Sequence, residues 1–279
     1  MSERVVICWA DPGEVSGRFM DSVLRVMYQS QEAVSTGAAA DYSVVGHVRI
    51  ESGPRIAAAR NNLVRSFLDK EEWSDVEWLL MLDADVTFDG SIIETLLRTA
   101  RREDGTIARP VISGLYFGGG HEAIFPVMFR IVDPTTNDGK PLTVVTDFTA
   151  GDVVAVDAVG CGCLLVHRSV YEQMRLEEPE PYPWFAETIY NGQEFGEDWS
   201  FCMKVRRRDW PIYCDTGVQL GHVKSVVMDE KMWRSGQVGL RQVAPPTGEE
   251  KKPLSLVTPL SKVTPMNREA RRQAQRSKR

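Results

Sequence analysis

Two short carboxylate pairs carry most of the chemistry this chain offers. Asp83 and Asp85 close the stretch Leu79-Leu80-Met81-Leu82-Asp83-Ala84-Asp85. Four consecutive apolar residues read as a strand buried on both faces, and its carboxylates then lie at the carboxyl end, where open α/β sheets bind ligands. Such a D-x-D suits a hard divalent cation, which in turn can bridge a diphosphate. Asp is also an ordinary turn former at strand ends, because its side chain bonds nearby amides. The second pair, in Gly196-Glu197-Asp198-Trp199, opens an expected helix through Ser200, Phe201, Met203 and Val205 to Arg208. Its acids either face a substrate or cap the helix and complement its dipole. His222, in Gly221-His222-Val223, taken alone reads as a half-buried histidine.

The elements that must position these groups alternate. Residues 5–9 read as a first strand ending in the turn Ala10-Asp11-Pro12-Gly13, and 17–29 as a helix with Phe19, Met20, Val23, Leu24 and Met27 on one face. Residues 42–50 form a second strand, followed by the loop Glu51-Ser52-Gly53-Pro54-Arg55 and a helix over 56–68 that carries Arg60, Asn61 and Asn62. The Asp-bearing strand and an amphipathic helix over 91–102 complete a series of βαβ units, which implies a largely parallel sheet. Beyond Pro110 the pattern shifts to strands over 111–117, 125–132, 143–148 and 153–158, suited to a smaller mixed or antiparallel extension. Gly160-Cys161-Gly162-Cys163 then leads into the apolar strand Leu164-Leu165-Val166. Its glycines either admit a close backbone approach or mark a bulge. Trp184-Phe185-Ala186 and Tyr190-Asn191-Gly192 read as an aromatic, polar loop that walls a substrate.

Composition sets limits. The 279 residues, 43% hydrophobic, suffice for a real core. No apolar run approaches the roughly 20 residues of a membrane span. The start of the chain reads as a first strand and lacks signal-peptide character. Five cysteines in apolar stretches read as reduced core residues, so a cytoplasmic protein is expected. From Glu249 onward nine Lys/Arg meet three Glu, a tail of +6 on a chain whose net charge is −6, which leaves the body at −12. An acidic body argues against broad nucleic-acid binding. The expected division is a domain over 1–244 and a basic, Pro-punctuated tail over 245–279. That tail reads as flexible or as an electrostatic tether to an acidic partner.

Over about residues 4–226 these pieces resemble glycosyltransferases of the GT-A fold, which move a sugar from a nucleotide-sugar donor to an acceptor. The strand-end D-x-D, the G-C-G-C strand at 160–163, the G-E-D at 196–198 and the late G-H-V at 221–223 carry the likeness. The last three, in that order, are similar to the retaining polypeptide N-acetylgalactosaminyltransferases. The stretch from Ser52-Gly53-Pro54 to Ala59-Arg60-Asn61 is similar to small bacterial and phage GT-A enzymes.

The resemblance implies an α/β fold with a Rossmann-like, mostly parallel central sheet flanked by helices. It also implies Mn²⁺ or Mg²⁺ held by Asp83, Asp85 and His222, a UDP-sugar donor, and retention. In that frame Asp11, Glu51, Arg55, Arg60, Asp83 and Lys224 are candidates for the nucleotide-sugar. Gly160, Cys161, Gly162 and Trp184 line the sugar and acceptor side, and Glu197 and Asp198 are catalytic. The acceptor is left open as a protein, a glycan or a small molecule. A metal-dependent nucleotidyltransferase is the alternative, although the loop after the first strand, Asp11-Pro12-Gly13-Glu14, is acidic and has a single Gly. A catalytically silent nucleotide-sugar or partner-binding module is the third reading.

Overall fold

The computed structural model describes residues 2–36, 42–119, 123–178, 180–190 and 192–224, so the expected boundary at 244/245 and the basic tail lie outside the described residues. The first half follows the expected alternation: β1 (Glu3–Asp11), α1 (Gly17–Ser35), β2 (Tyr42–Glu51), α2 (Ile56–Asp69), β3 (Trp78–Asp83), the two-residue β4 (Val86–Thr87) and α3 (Ile92–Ala100). The second half contains β5 (Val111–Leu115), β6 (Phe117–Gly119), β7 (Ile124–Pro126), β8 (Met128–Ile131), β9 (Leu142–Val144), β10 (Val153–Val156), β11 (Ala158–Val159) and β12 (Cys163–His167). It continues with α4 (Arg168–Glu177), the hairpin β13 (Thr188–Tyr190) and β14 (Gln193–Phe195), α5 (Glu197–Arg206), β15 (Ile212–Gln219) and β16 (Gly221–His222).

Seven strands form the central sheet in the order β10-β15-β5-β12-β3-β1-β2. Five share one direction; β12, between β3 and β5, and β10, at the edge, run against them. The largely parallel sheet expected from the sequence is thus present, and β8, β9 and β11 form a small antiparallel sheet beside it.

Side-chain parity divides the core into two layers, because successive residues of a strand point to opposite faces. Leu79 and Met81 of β3 join Leu63 and Phe67 of α2, Tyr171 of α4 and Phe201 of α5. Trp78, Leu80 and Leu82 face the other way, against Phe19 and Val23 of α1 and Ile93 and Leu96 of α3. Each fully buried Leu, Ile or Phe contributes roughly 1.5–3 kcal/mol relative to exposure. The five cysteines are free and buried, and burial pushes the Cys163 and Cys202 thiols up to about 12. No helix among the described residues is long and apolar enough to cross a membrane.

Two local expectations change, and one helix had not been expected. The strand expected over 111–117 breaks at Tyr116, whose ring turns inward while the chain continues as β6. The G-C-G-C segment is a turn through Gly162, and its strand begins at Cys163. Residues 168–177 form α4, which buries Val170, Tyr171 and Met174.

Candidate functional site

The two aspartates of the D-x-D part company. Asp83 ends β3 with the parity of Leu79 and Met81, so its carboxylate points to the α2/α5 layer. There Asp83 Oδ1 accepts a hydrogen bond of 2.8 Å from Arg60 Nη2. Asp85 lies beyond the turn at Ala84, on the other side of the strand tip. Its Oδ2 is 3.1 Å from His222 Nε2 and accepts from Lys224 Nζ, also at 3.1 Å.

His222 is delivered by the pairing of β16 with β4. The Leu220 amide donates to the Leu115 carbonyl at 2.9 Å, Gly221 and His222 pair with Thr87 and Val86, and the Val223 amide donates to the Asp85 carbonyl at 2.7 Å. Gly221 lies close to its partner strand: a Cβ there would sit 2.5 Å from Thr87 Oγ1, and the Thr87 side chain would have to turn. On the ring, Nδ1 is 2.8 Å from the Phe117 carbonyl oxygen, which can only accept, so Nδ1 carries the proton. In the neutral ring Nε2 then turns a lone pair toward the Asp85 carboxylate. Two acceptors at that distance call for a proton or a metal ion between them. A carbonyl on the far nitrogen is also the usual device that orients a metal-binding histidine.

One imidazole nitrogen and one half-exposed carboxylate oxygen, which Lys224 also holds, are donors of the kind that suits Mn²⁺ and less closely the oxygen-preferring Mg²⁺. Among the described residues no three His, Cys, Asp or Glu side chains converge as a metal-holding group. The structure therefore brings Asp85 and His222 together and holds Asp83 apart from them.

Arg60 occupies the centre of the second cluster. Its side chain is only 8% exposed, and it donates from Nη2 to Asp83 and from Nη1 to Glu197 Oε1. Expected to meet phosphate, it is instead committed to two carboxylates. Gly196 is the N-cap of α5 and makes no side-chain cap bond, while Asp198 Oδ1 accepts from the Trp199 amide at 2.7 Å. Burial pushes the Asp198 carboxyl above its ordinary range, with the charge of Arg60 pulling the other way and that of Glu197 adding to the rise. Next to Arg60, fully buried Asn61 donates to the Phe185 carbonyl at 2.7 Å, and its Oδ1 accepts from the Trp184 and Phe185 amides at 3.3 and 3.4 Å.

Several expected contacts are replaced by internal ones. Trp184 is completely buried and donates its indole N–H to the Tyr171 carbonyl, so it belongs to the core and forms no substrate wall. Cys161 is buried, and the room left by Gly160 and Gly162 is filled by Tyr116. A Cβ on Gly160 would lie 1.9 Å from the Tyr116 hydroxyl oxygen, and one on Gly162 would lie 2.7 Å from its ring. The Gly162 amide donates to that hydroxyl at 3.2 Å, and the same ring meets His222 edge-on at 5.8 Å. These glycines make room for the ring that meets His222.

At the tips of β1 and β2, the Asp11 carboxylate is covered. It accepts from Arg49 Nε at 2.6 Å, Arg49 Nη2 at 2.8 Å and the Gly13 amide at 2.9 Å. The Arg49 hydrogen bond, with Gly13, holds the Asp11 carboxyl below its usual range. Glu51, Arg55 and Lys224 are exposed. Sequence reasoning passed over Arg49, whose half-exposed guanidinium Asp11 fixes in place, and Tyr116. A strand-end Asp opposite an Arg near the neighbouring strand's end was the available signal for the first.

No protein-family model and no curated protein matches the chain. Among solved structures it is similar to A197 from STIV, with a TM-score of 0.50 and 16% identity over 80% of this chain and 86% of that one. It also matches GalNAc-T7, solved with UDP, GalNAc and Mn²⁺, at a TM-score of 0.46 and 11% identity. That match covers 81% of this chain and 44% of the other, and it decides nothing further. At these identities the likeness is one of fold. With five co-directional strands, an antiparallel strand inserted beside β3 and carboxylates at the strand tip, the fold is GT-A-like.

Proposed function

We propose that this chain is a metal-dependent glycosyltransferase that takes a nucleotide-diphosphate sugar, with a UDP-sugar favoured, and transfers the sugar with retention. The observation that carries the reading is the convergence of Asp85 and His222 at the tip of β3, with His222 Nδ1–H donating to the Phe117 carbonyl. The GT-A-like sheet supports it, because ligands of such sheets sit over the carboxyl ends of the strands.

In this reading Asp85 and His222 hold the cation, which when bound offsets the charge that grows on the diphosphate leaving group. Lys224 leaves Asp85 for a phosphate oxygen. Arg49, held by Asp11, and the exposed Glu51 and Arg55 receive the nucleoside and its phosphates at the tips of β1 and β2. Glu197 and Asp198 face the sugar and acceptor, where a carboxyl raised by burial can hold or accept a proton. The acceptor is a protein, a glycan or a small molecule.

A panel of UDP-, GDP- and other nucleotide-sugars assayed for hydrolysis with and without Mn²⁺ tests this. Turnover is expected only with the metal, and Asp85→Asn and His222→Ala should each abolish it, together with Mn²⁺ binding by the unliganded protein. Metal-independent turnover, or turnover that survives both changes, refutes the reading.

A further inference from the structure

Arg60 touches both carboxylate pairs at once. It reaches them from α2, the third element between β3 and α5, and its guanidinium is desolvated while Arg55 and Lys224 lie open to water. Its two Nη groups serve different partners, Asp83 at the end of the central strand and Glu197 in the first turn of α5. A planar fork with donors fixed in direction can hold two carboxylates at a set separation, which a single ammonium on a flexible stem cannot. With Asp198 beside them, three carboxylates surround one guanidinium, a net charge of −2 when all are ionised. The guanidinium between them offsets their mutual repulsion. The adjacent Asn61 binds the main chain of residues 184–185, which lead toward the hairpin preceding Gly196. One helical turn of α2 thus contacts the tip of β3, the first turn of α5 and the main chain of residues 184–185.

We propose that Arg60 is a positioning residue that fixes the first turn of α5, with Glu197 and Asp198, against the tip of β3. It thereby sets the placement of the acceptor-side carboxylates relative to the metal-side pair Asp85 and His222. In its kinetic arm this inference rests on the glycosyltransferase reading; in its structural arm it does not.

The test uses the full chain carrying Arg60→Lys, which keeps the charge but loses the fork, and Arg60→Gln. Five quantities are measured: Mn²⁺ affinity without nucleotide by electron paramagnetic resonance, UDP affinity with Mn²⁺, kcat and KM for UDP-sugar hydrolysis, and amide exchange at 83–85 and 196–200. Both affinities and KM should stay within about threefold, kcat should fall at least about tenfold, and exchange at 196–200 should accelerate while that of β1 does not. Unchanged kcat and exchange in the folded variants overturn the proposal and leave Arg60 a core cation. A Mn²⁺ affinity that falls in step with kcat overturns it too, since Arg60 would then act through the metal pair. If the unaltered protein hydrolyses no nucleotide-sugar, the glycosyltransferase reading fails, and exchange alone decides for or against positioning. Should a single variant unfold, Arg60→Gln with Glu197→Gln returns the cluster to its native net charge of −2 while removing the fork, and carries the exchange measurement.

Discussion

Replacing Asp198 by Asn should make the protein slower without making it weaker. The carboxyl is raised chiefly by burial, so its charged form is less comfortable in the folded chain than in the unfolded one. Such a group adds stability that is fully present below its unfolded value, near pH 4, and is lost as pH rises through the folded value. At pH 7 the side chain therefore costs stability, and a neutral amide of the same shape removes that cost. The local bond survives as well, because an Asn oxygen can still accept from the Trp199 amide, a contact worth about 1 kcal/mol. Turnover should move the other way. A positioned acid–base or orienting carboxylate contributes ~10²–10⁴ in rate, so kcat for UDP-sugar hydrolysis should fall at least ~100-fold while UDP and Mn²⁺ affinities stay within a few-fold. The assay is steady-state turnover, nucleotide binding and melting temperature on one preparation of Asp198→Asn, with melting repeated from pH 4 to 7. A melting point that equals or exceeds the parent's at pH 7, with its advantage shrinking toward pH 4, supports the argument. A lowered melting point with unchanged kcat refutes it and makes Asp198 a helix-capping residue.

Asp11→Asn should lower the melting temperature at pH 7. Because the Asp11 carboxyl is held below its ordinary value, its stabilisation is present above about pH 4 and fades as pH falls, so the gap to the parent should close on acidification, a trend that thermal scans across pH can follow. Gly160→Ala drives a Cβ against the Tyr116 hydroxyl and should cost about 1–3 kcal/mol in denaturant unfolding, as overpacking does. Because the same tyrosine ring abuts His222, that variant should also weaken Mn²⁺ binding, and an unchanged affinity would show that the glycines do not reach the site through Tyr116.

The sheet was legible because its strands announce themselves. Val5-Val6-Ile7-Cys8 and Leu79-Leu80-Met81-Leu82 are apolar on both faces, and only a central strand needs that. Helix α4 escaped because its buried set is only Val170, Tyr171 and Met174, framed by Arg and Glu that blur the period. The sequence placed aspartates at a strand tip and acids at a helix start, and both positions hold. What it left open was which partner each side chain takes. Trp184 looks like a substrate wall in a loop of aromatics until the Tyr171 carbonyl and Asn61 arrive from α4 and α2 to bury it. Gly160 and Gly162 did signal a close approach, but the approaching group, Tyr116, comes from 46 residues before Gly162 and no local pattern names it.

The D-x-D itself shows why spacing underdetermines chemistry. Two residues apart on a continuing strand, Asp83 and Asp85 would face the same side and share one cation. Here β3 stops at Asp83, and the turn at Ala84 to Asp85 breaks the alternation before β4 begins. Parity sends Asp83 down to the α2/α5 layer, where Arg60 is the available cation, and the turn sends Asp85 across to β16, where His222 and Lys224 are. One motif thus sends one carboxylate to His222 and Lys224, where the proposed cation would bind, and the other to Arg60. The coupling is geometric, through one rigid strand end, so a residue inserted after Ala84 should separate the two roles. It would displace Asp85 from His222 and lose Mn²⁺ binding, while the Asp83–Arg60–Glu197 chain and the fold it braces stay intact. Loss of the fold together with Mn²⁺ binding in that variant would show that the two halves are not independent.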